Sequence, residues 1–307
     1  MTPGYRALRE GAGWLDLSSR GKIFARGEDR ARLLHAMTTN HVQQLRPGEW
    51  CYAFLLTAQG RILADANLVC LEDKILIDTE PETRERVFQH LDHYIIADDV
   101  TLEDVSETLG AIGVEGPGAD EVMARVGGLA PEMVAAISAA FSFTGQPGVR
   151  IFGDAAAIVR CVEAVGAVAA EAADARVVRI ENGLPRYGDD IFDMTLALET
   201  QQARAVHFTK GCYLGQEIVE RTRSRGHVNR LLVSLEIDGE AAPEPGTVVT
   251  SGGADAGKIT TAAYSPARGK VVGMAYVRTA LAEPGTELAV NGARAIIAVR
   301  PEPTAAR

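Results

Sequence analysis

From residue 228 to the C-terminus the chain reads as one strand after another, with no helical period to interrupt the pattern. Apolar and β-branched runs cover Val228–Ile237, Gly246–Thr250, Lys258–Tyr264, Lys270–Val277, Glu287–Val290 and Ala293–Val299. The turn signals Ser251-Gly252-Gly253, Ser265-Pro266 and Asn291-Gly292 separate them. Consecutive short strands with no helix to cover a sheet face must bury that face against one another, so this stretch predicts a small barrel or sandwich of about six strands.

The preceding residues have a mixed texture. Ile23–Ala25 reads as a strand, and Gly27 leads into Glu28–Met37, whose apolar residues recur at helical spacing behind two acids. Thr38-Thr39-Asn40 can stop that helix. Trp50–Leu56, Ile62–Leu71 and Lys74–Ile77, separated by Gln59-Gly60 and Glu72-Asp73, predict an antiparallel meander. Pro81 opens a helix through Tyr94, strands follow at Val100–Val105 and Ala111–Val114, and Gly116-Pro117-Gly118 starts another helix. Next come a helix from Pro131 to Phe141, a loop over Thr144–Gly148, and a hairpin of Val149–Phe152 with Ala156–Val159 around Gly153-Asp154. After an alanine-rich segment, Asp174 caps a helix that Gly183 ends, and Glu217–Arg225 is a charged helix closed by Gly226. Strands and helices interleave without a G-x-G-x-x-G or a P-loop, which makes the class α+β and not a doubly wound nucleotide fold. The domains predicted are residues 1–227 and 228–307.

Length and charge narrow the function. At 307 residues the chain has room for about two domains. Acids outnumber bases 41 to 31, and the net charge of −10 argues against a broad phosphate-binding face and therefore against direct nucleic-acid binding. Cys51, Cys70, Cys161 and Cys212 are scattered without a C-x-x-C pair, so no zinc or iron–sulfur ligand set is legible. Met1–Trp14 lacks the apolar core of a leader, and no long apolar run occurs, which predicts a cytoplasmic protein with no membrane span.

Three polar clusters stand out. Lys210-Gly211-Cys212-Tyr213-Leu214-Gly215-Gln216-Glu217 gathers a thiol, a cation, a carboxylate and two glycines at the entry to a helix. A thiol so placed is either reactive or a small buried hydrophobe at a tight turn. Gln59-Gly60-Arg61-Ile62-Leu63-Ala64-Asp65 puts an acid in an apolar strand, where it faces solvent or is kept in a cavity for function. Arg179-Ile180-Glu181-Asn182-Gly183-Leu184-Pro185-Arg186-Tyr187 ends a helix with an acid that opposes the helix dipole. Glu181 therefore has either a structural partner such as Arg179 or Arg186, or a ligand; Tyr187 either stacks on that ligand or packs. Arg221, Arg223, Arg225 and Arg230 read as a solvated charged face, and His207 and His227 lack the paired spacing of metal ligands.

Lys210–Glu217 resembles the K-G-C-Y-x-G-Q-E signature of the YgfZ family, folate-binding iron–sulfur assembly factors related to the aminomethyltransferase (T-protein) of glycine cleavage. Leu56-Thr57-Ala58-Gln59-Gly60-Arg61-Ile62-Leu63 is similar to L-T-P-Q-G-R-I-L, Arg179–Tyr187 to R-I-E-x-G-x-P-R-Y, and Lys258–Pro266 to G-x-I-T-S-x-x-x-S-P of the family's barrel. The resemblance implies two interleaved α+β subdomains in a ring with a C-terminal β-barrel. It also implies a monomer that binds tetrahydrofolate or a one-carbon derivative and that serves iron–sulfur proteins or their assembly machinery and through them tRNA modification. Glu181 falls on the pterin-binding glutamate of the T-protein's L-E-A-G, and Asp65 on the second aspartate of its G-G-I-L-D-D. Ala64 replaces the first, which puts aminomethyl transfer in question. Cys212 is the key thiol of the YgfZ reading, with bound folate and Cys212 facing one cavity. Two alternatives accompany it: an aminomethyltransferase proper, and a folate-binding module without catalysis.

Overall fold

Three sheets account for the strands of the computed structural model, which describes residues 1–129, 136–226 and 228–301. The strands are β1 (Gly13–Asp16), β2 (Gly21–Arg26), β3 (Trp50–Leu56), β4 (Ile62–Cys70), β5 (Lys74–Thr79), β6 (Thr101–Asp104), β7 (Gly110–Glu115) and β8 (Ile137–Ala139). They continue with β9 (Gly148–Gly153), β10 (Val168–Ala169), β11 (Arg230–Ile237), β12 (Val248–Ser251), β13 (Ala254–Ser265), β14 (Lys270–Arg278), β15 (Glu287–Val290) and β16 (Ala293–Ala298). The helices are α1 (Pro3–Glu10), α2 (Arg30–Met37), α3 (Arg84–His93), α4 (Ala119–Leu129), α5 (Ala155–Ala164), α6 (Ala172–Glu181) and α7 (Gln216–Arg225). The class is α+β, as the sequence predicts.

By its contacts the chain divides into two compact units. The first comprises Met1–Leu17, Ala111–Asp190 and Val228–Arg307. It holds a five-stranded sheet of order β10-β1-β7-β9-β8 and a closed barrel of order β11-β14-β13-β12-β15-β16. Barrel closure leaves no free edge, and alternate residues such as Val233, Leu235, Ile237, Val271, Ala275 and Val277 fill its interior. Helix α6 packs Val177 and Ile180 onto the barrel wall formed by Leu232, Ala263, Val272 and Met274. Its first turn is fixed by reciprocal bonds between Glu171 and Asp174, and Gly183, at φ +61°, follows its end.

The second unit comprises Ser18–Gly110 and Ile191–His227. Its sheet has the order β3-β4-β5-β2-β6. One face carries Ile23, Ala53, Leu55, Ala64, Ala66, Leu68, Ile75 and Ile77 against α2 and α3, the period-2 signature of a half-apolar sheet. The other face carries Lys22, Tyr52, Asp65, Asn67 and Asp78, and it is this polar face that the candidate site occupies.

Three elements depart from the sequence reading. Ala156–Val159 belongs to α5 and not to a hairpin, because Asp154 caps the helix by accepting from the Ala157 N–H at 3.1 Å and Ile158 and Val162 supply its buried stripe. Of the helix expected over Pro131–Phe141, residues 130–135 lie outside the described part, and Ile137–Ala139 is a strand paired with β9. Helix α1, unread in the sequence, is capped by Thr2 through the Tyr5 N–H and begins with Pro3 at its first position. Among the described residues no helix is long and apolar enough to cross a membrane.

Candidate functional site

The four sequence motifs fold into two pairs, one in each unit. In the second unit the Thr57–Arg61 turn lies against the Lys210–Glu217 stretch. Gly60, at φ +71°, sits where a Cβ would come within 2.6 Å of Ile218 Cβ, and a Cβ on Gly215 would lie 2.7 Å from the Thr57 carbonyl oxygen. Those two glycines are there because the motifs meet backbone to side chain. In the first unit Arg179 donates to Asp190 at 2.6 Å and to Asp189 at 2.9 Å. Asp190 accepts in turn from Thr260 at 2.6 Å and Thr261 at 2.7 Å, which ties the Arg179–Tyr187 motif to the Ile259-Thr260 motif of the barrel.

Asp65 is 6% exposed, so it does not face solvent. It projects from β4 onto the polar face, where Tyr52 donates its hydroxyl to Oδ2 at 2.7 Å while Oδ1 is buried without a hydrogen-bond partner. The Tyr52 ring lies edge to face with Phe54 and under the Arg204 guanidinium, 4.7 Å from the ring centroid. Beside it Arg20 donates to Asp78 at 2.8 Å and also to Glu80, and Asn67 donates to Asp78 at 3.2 Å. Burial, reinforced by the negative charge of Glu80, pushes Asp65 up to about 6. Burial and the charge of Asp65 push the Tyr52 phenol up as well. A carboxyl that titrates at about 6, with one oxygen held and one free, is suited to give or take a proton.

The Lys210–Glu217 stretch is anchored on the C-terminal turn of α2. The Lys210 ammonium donates to the carbonyls of Thr38, at 2.6 Å, and His35, and it lies 4.7 Å from the Tyr213 ring centroid. Burial holds this lysine down at about 8. Leu214 N–H donates to the Ala36 carbonyl at 3.0 Å, and the Leu214 side chain packs on the core face of the sheet. Gly211, at φ +102°, turns the chain between these anchors and leaves Cys212 exposed. Helix α7 begins only at Gln216, whose side chain accepts from the Tyr213 N–H at 3.2 Å, and Glu217 pairs with Arg221 on the exposed helix face. Cys212 therefore lies outside the first helical turn, and the Lys210 cation is committed to backbone carbonyls. Among the described residues no hydrogen bond or ion pair joins Asp65 to this stretch.

In the first unit Glu181 is 2% exposed. Its Oε1 accepts from both the Tyr5 hydroxyl and the Ser265 hydroxyl at 2.5 Å, and Arg9 Nη1 lies 3.5 Å from Oε2. Oε2 has no hydrogen bond of its own. Burial and the Glu181 charge push the Tyr5 phenol up to about 12. Arg179 is committed to Asp189 and Asp190, so the partners of Glu181 are Tyr5, Ser265 and Arg9 and not Arg179, one of the two the sequence suggested. Tyr187 is buried, at 5% exposure. Asp65 and Cys212 thus belong to the second unit, Glu181 and Tyr187 to the first. Arg223 pairs with Glu220 and lies over the Phe208 ring, a solvated helix face as expected; His227 lies outside the described residues.

Tyr52, Arg20, Glu80 and Tyr5 are candidate-site residues that sequence reasoning passes over, and Ser265 enters it only as part of the barrel motif. The alternation Trp50, Tyr52, Phe54 is the one signal that could have placed Tyr52 on a shared face with Asp65. Nothing in the local sequence around Tyr5 or Ser265 points to Glu181.

Residues 2–210 match the model of the GCVT N-terminal domain, and residues 230–303 match the glycine cleavage T-protein C-terminal barrel domain. An aminomethyltransferase of Rubrobacter xylanophilus is 28% identical over 97% of this chain and 82% of its own length. That of Geobacillus kaustophilus is 29% identical over 94% and 85%. A putative chloroplastic transferase of Arabidopsis thaliana is 26% identical over 93% and 69%. The crystal structure of the glycine cleavage system aminomethyltransferase T from Bartonella henselae shares the fold, with a TM-score of 0.87 at 20% identity over 97% of this chain and 88% of that one.

Proposed function

This chain belongs to the glycine cleavage T-protein family, and on that premise we propose that it binds tetrahydrofolate and transfers a one-carbon unit at the aminomethyl level. The observation that carries the reading is Asp65, a buried carboxyl with Oδ2 fixed by Tyr52 and Oδ1 unpaired. A ligand amine or amide would satisfy that orphan oxygen, so the residues present suit a folate. When bound, tetrahydrofolate supplies the nucleophilic nitrogens that accept a one-carbon unit. Asp65 Oδ1 is then the atom that takes a proton from an attacking N–H or returns one to a leaving amine. Tyr52 holds the other oxygen and keeps the carboxyl in one rotamer. Within the first unit, Glu181 of the Arg179–Tyr187 motif is proposed separately as a pterin ligand, supported by the one of its oxygens that carries no hydrogen bond.

The alanine at position 64 does not weigh against transfer. Its side chain points into the apolar core on the opposite sheet face from Asp65, so an aspartate there would lie buried among Leu34, Leu55 and Leu68 and not beside Asp65. The test is incubation with an aminomethylated lipoyl carrier protein and tetrahydrofolate. Ammonia release with formation of methylenetetrahydrofolate is expected, with a loss of about 100-fold or more in Asp65→Asn, the scale of an acid–base group. A wild-type protein that releases no ammonia would overturn the reading.

A second reading, membership of the YgfZ branch and support of iron–sulfur enzymes, is favoured by Cys212, which is exposed within its signature motif. In cells lacking the endogenous factor, Cys212→Ser would then fail to restore the activity of an iron–sulfur enzyme while still binding folate. Full restoration by the variant would rule this reading out.

A further inference from the structure

The polar face of the second unit holds more buried charge than one acid–base group requires. Three carboxylates, Asp65, Asp78 and Glu80, and two cations, Arg20 and Lys22, are all at least nine-tenths buried. Arg20 donates Nε to Asp78 at 2.8 Å and Nη1 to Glu80, so both of its faces are engaged. Lys22 donates to the carbonyls of Ser18 at 2.6 Å and Arg20 at 2.8 Å. Arg20 is thus committed to Asp78 and Glu80 and the Lys22 ammonium to backbone carbonyls, which leaves Asp65 as the one of the three carboxylates that neither of these cations pairs with. Thr79 locks the geometry, since its hydroxyl donates to the Asp65 carbonyl at 2.6 Å and meets the Thr83 hydroxyl at 2.7 Å, which fixes Glu80 next along the chain. The titratable and charged groups around Asp65 are Tyr52 on β3, Asp78 on β5, Glu80 after it, Arg20 before β2, Lys22 on β2, and Arg204 over the Tyr52 ring.

We propose that Arg20, Asp78 and Glu80 are positioning residues for Asp65: by holding Arg20 between them, Asp78 and Glu80 keep it from neutralising Asp65, which is left as the group on this face that holds the proton. The inference rests on the reading of Asp65 as the residue that moves protons in one-carbon transfer. Ion pairs that served stability alone would be matched one to one, because an unmatched buried charge is costly. Here the surplus acid is the one with the orphan oxygen. The Coulombic influence of Glu80 on Asp65 agrees in sign, since it opposes ionisation while Arg20 favours it.

The test is a titration of the Asp65 carboxyl carbon by NMR in the full chain, assigned by its loss in Asp65→Asn and run beside the pH profile of aminomethyl transfer. Glu80→Gln removes the opposing charge and frees part of Arg20, so the Asp65 midpoint is expected to fall by about one pH unit. The acidic limb of the rate profile is expected to move with it. Asp78→Asn is isosteric and shifts both in the same direction, a second route should Glu80→Gln fail to fold. An unmoved midpoint in a folded variant overturns the proposal, and so does a moved midpoint with an unmoved rate profile. A moved midpoint in a protein that shows no transfer at all leaves the electrostatic coupling standing and removes the reaction it was to serve.

Discussion

Asp65→Asn separates what this residue costs the fold from what it does in the site. Burial and Glu80 raise Asp65 from 3.8 to about 6, so the folded protein binds this proton more tightly than the unfolded chain does. The stability that Asp65 contributes is therefore full below about pH 4 and is lost as pH rises through about 6. About two pH units at about 1.4 kcal/mol each amount to ~3 kcal/mol withheld from the wild type at neutral pH. The asparagine cannot ionise. Its amide meets an environment that offers Oδ1 no partner, a penalty of about 1–3 kcal/mol that does not vary with pH. The informative quantity is thus the pH dependence of the difference between the two proteins and not its absolute value. Urea unfolding of both from pH 4 to pH 8 is expected to show the variant gaining about 3 kcal/mol on the wild type, with the change confined to the interval between about 4 and 6.5. Curves that stay parallel across that range would refute the argument, because they would mean that Asp65 ionises in the folded protein as it does in the unfolded chain.

Other perturbations test the neighbouring parts. Glu181→Ala leaves the Tyr5 and Ser265 hydroxyls without their shared acceptor; it is expected to cost about 2–4 kcal/mol and to bring the Tyr5 phenol down from about 12, which ultraviolet titration reads directly. Alkylation of the native protein is expected to reach exposed Cys212 well before buried Cys70, as peptide mapping of a time course would show, and Cys212→Ser should change unfolding free energy by no more than about 0.5 kcal/mol. Gly60→Ala places a methyl 2.6 Å from Ile218 Cβ at φ +71°, so a loss of about 1–3 kcal/mol is expected; an unfolding midpoint equal to that of wild type would mean the two motifs do not pack as described.

How much of this could be read from sequence depends on the distance over which each decision is made. The meander β3-β4-β5 and the six barrel strands are legible because a period of two and a turn residue are local facts. Residues 155–164 are misread for the same reason: Ala156–Val159 has strand-like composition, and only the Asp154 cap and the recurrence of Ile158 and Val162 reveal a helix. The partners of Glu181 lie 176 and 84 residues away, and no local pattern encodes a carboxylate that waits for a tyrosine from the N-terminal helix and a serine from the barrel. Position 64 shows where the two scales meet. Against the paired aspartates of the motif it resembles, Ala64 reads as a missing functional group, since adjacent letters suggest adjacent chemistry. On a strand, adjacent letters face opposite ways. Ala64 lies with Ala66 and Leu68 in the apolar core, while Asp65 turns to Tyr52, Arg20 and Glu80. The groups that Asp65 meets come instead from β3, from the end of β5 and from the residue before β2, none of them next to it in sequence.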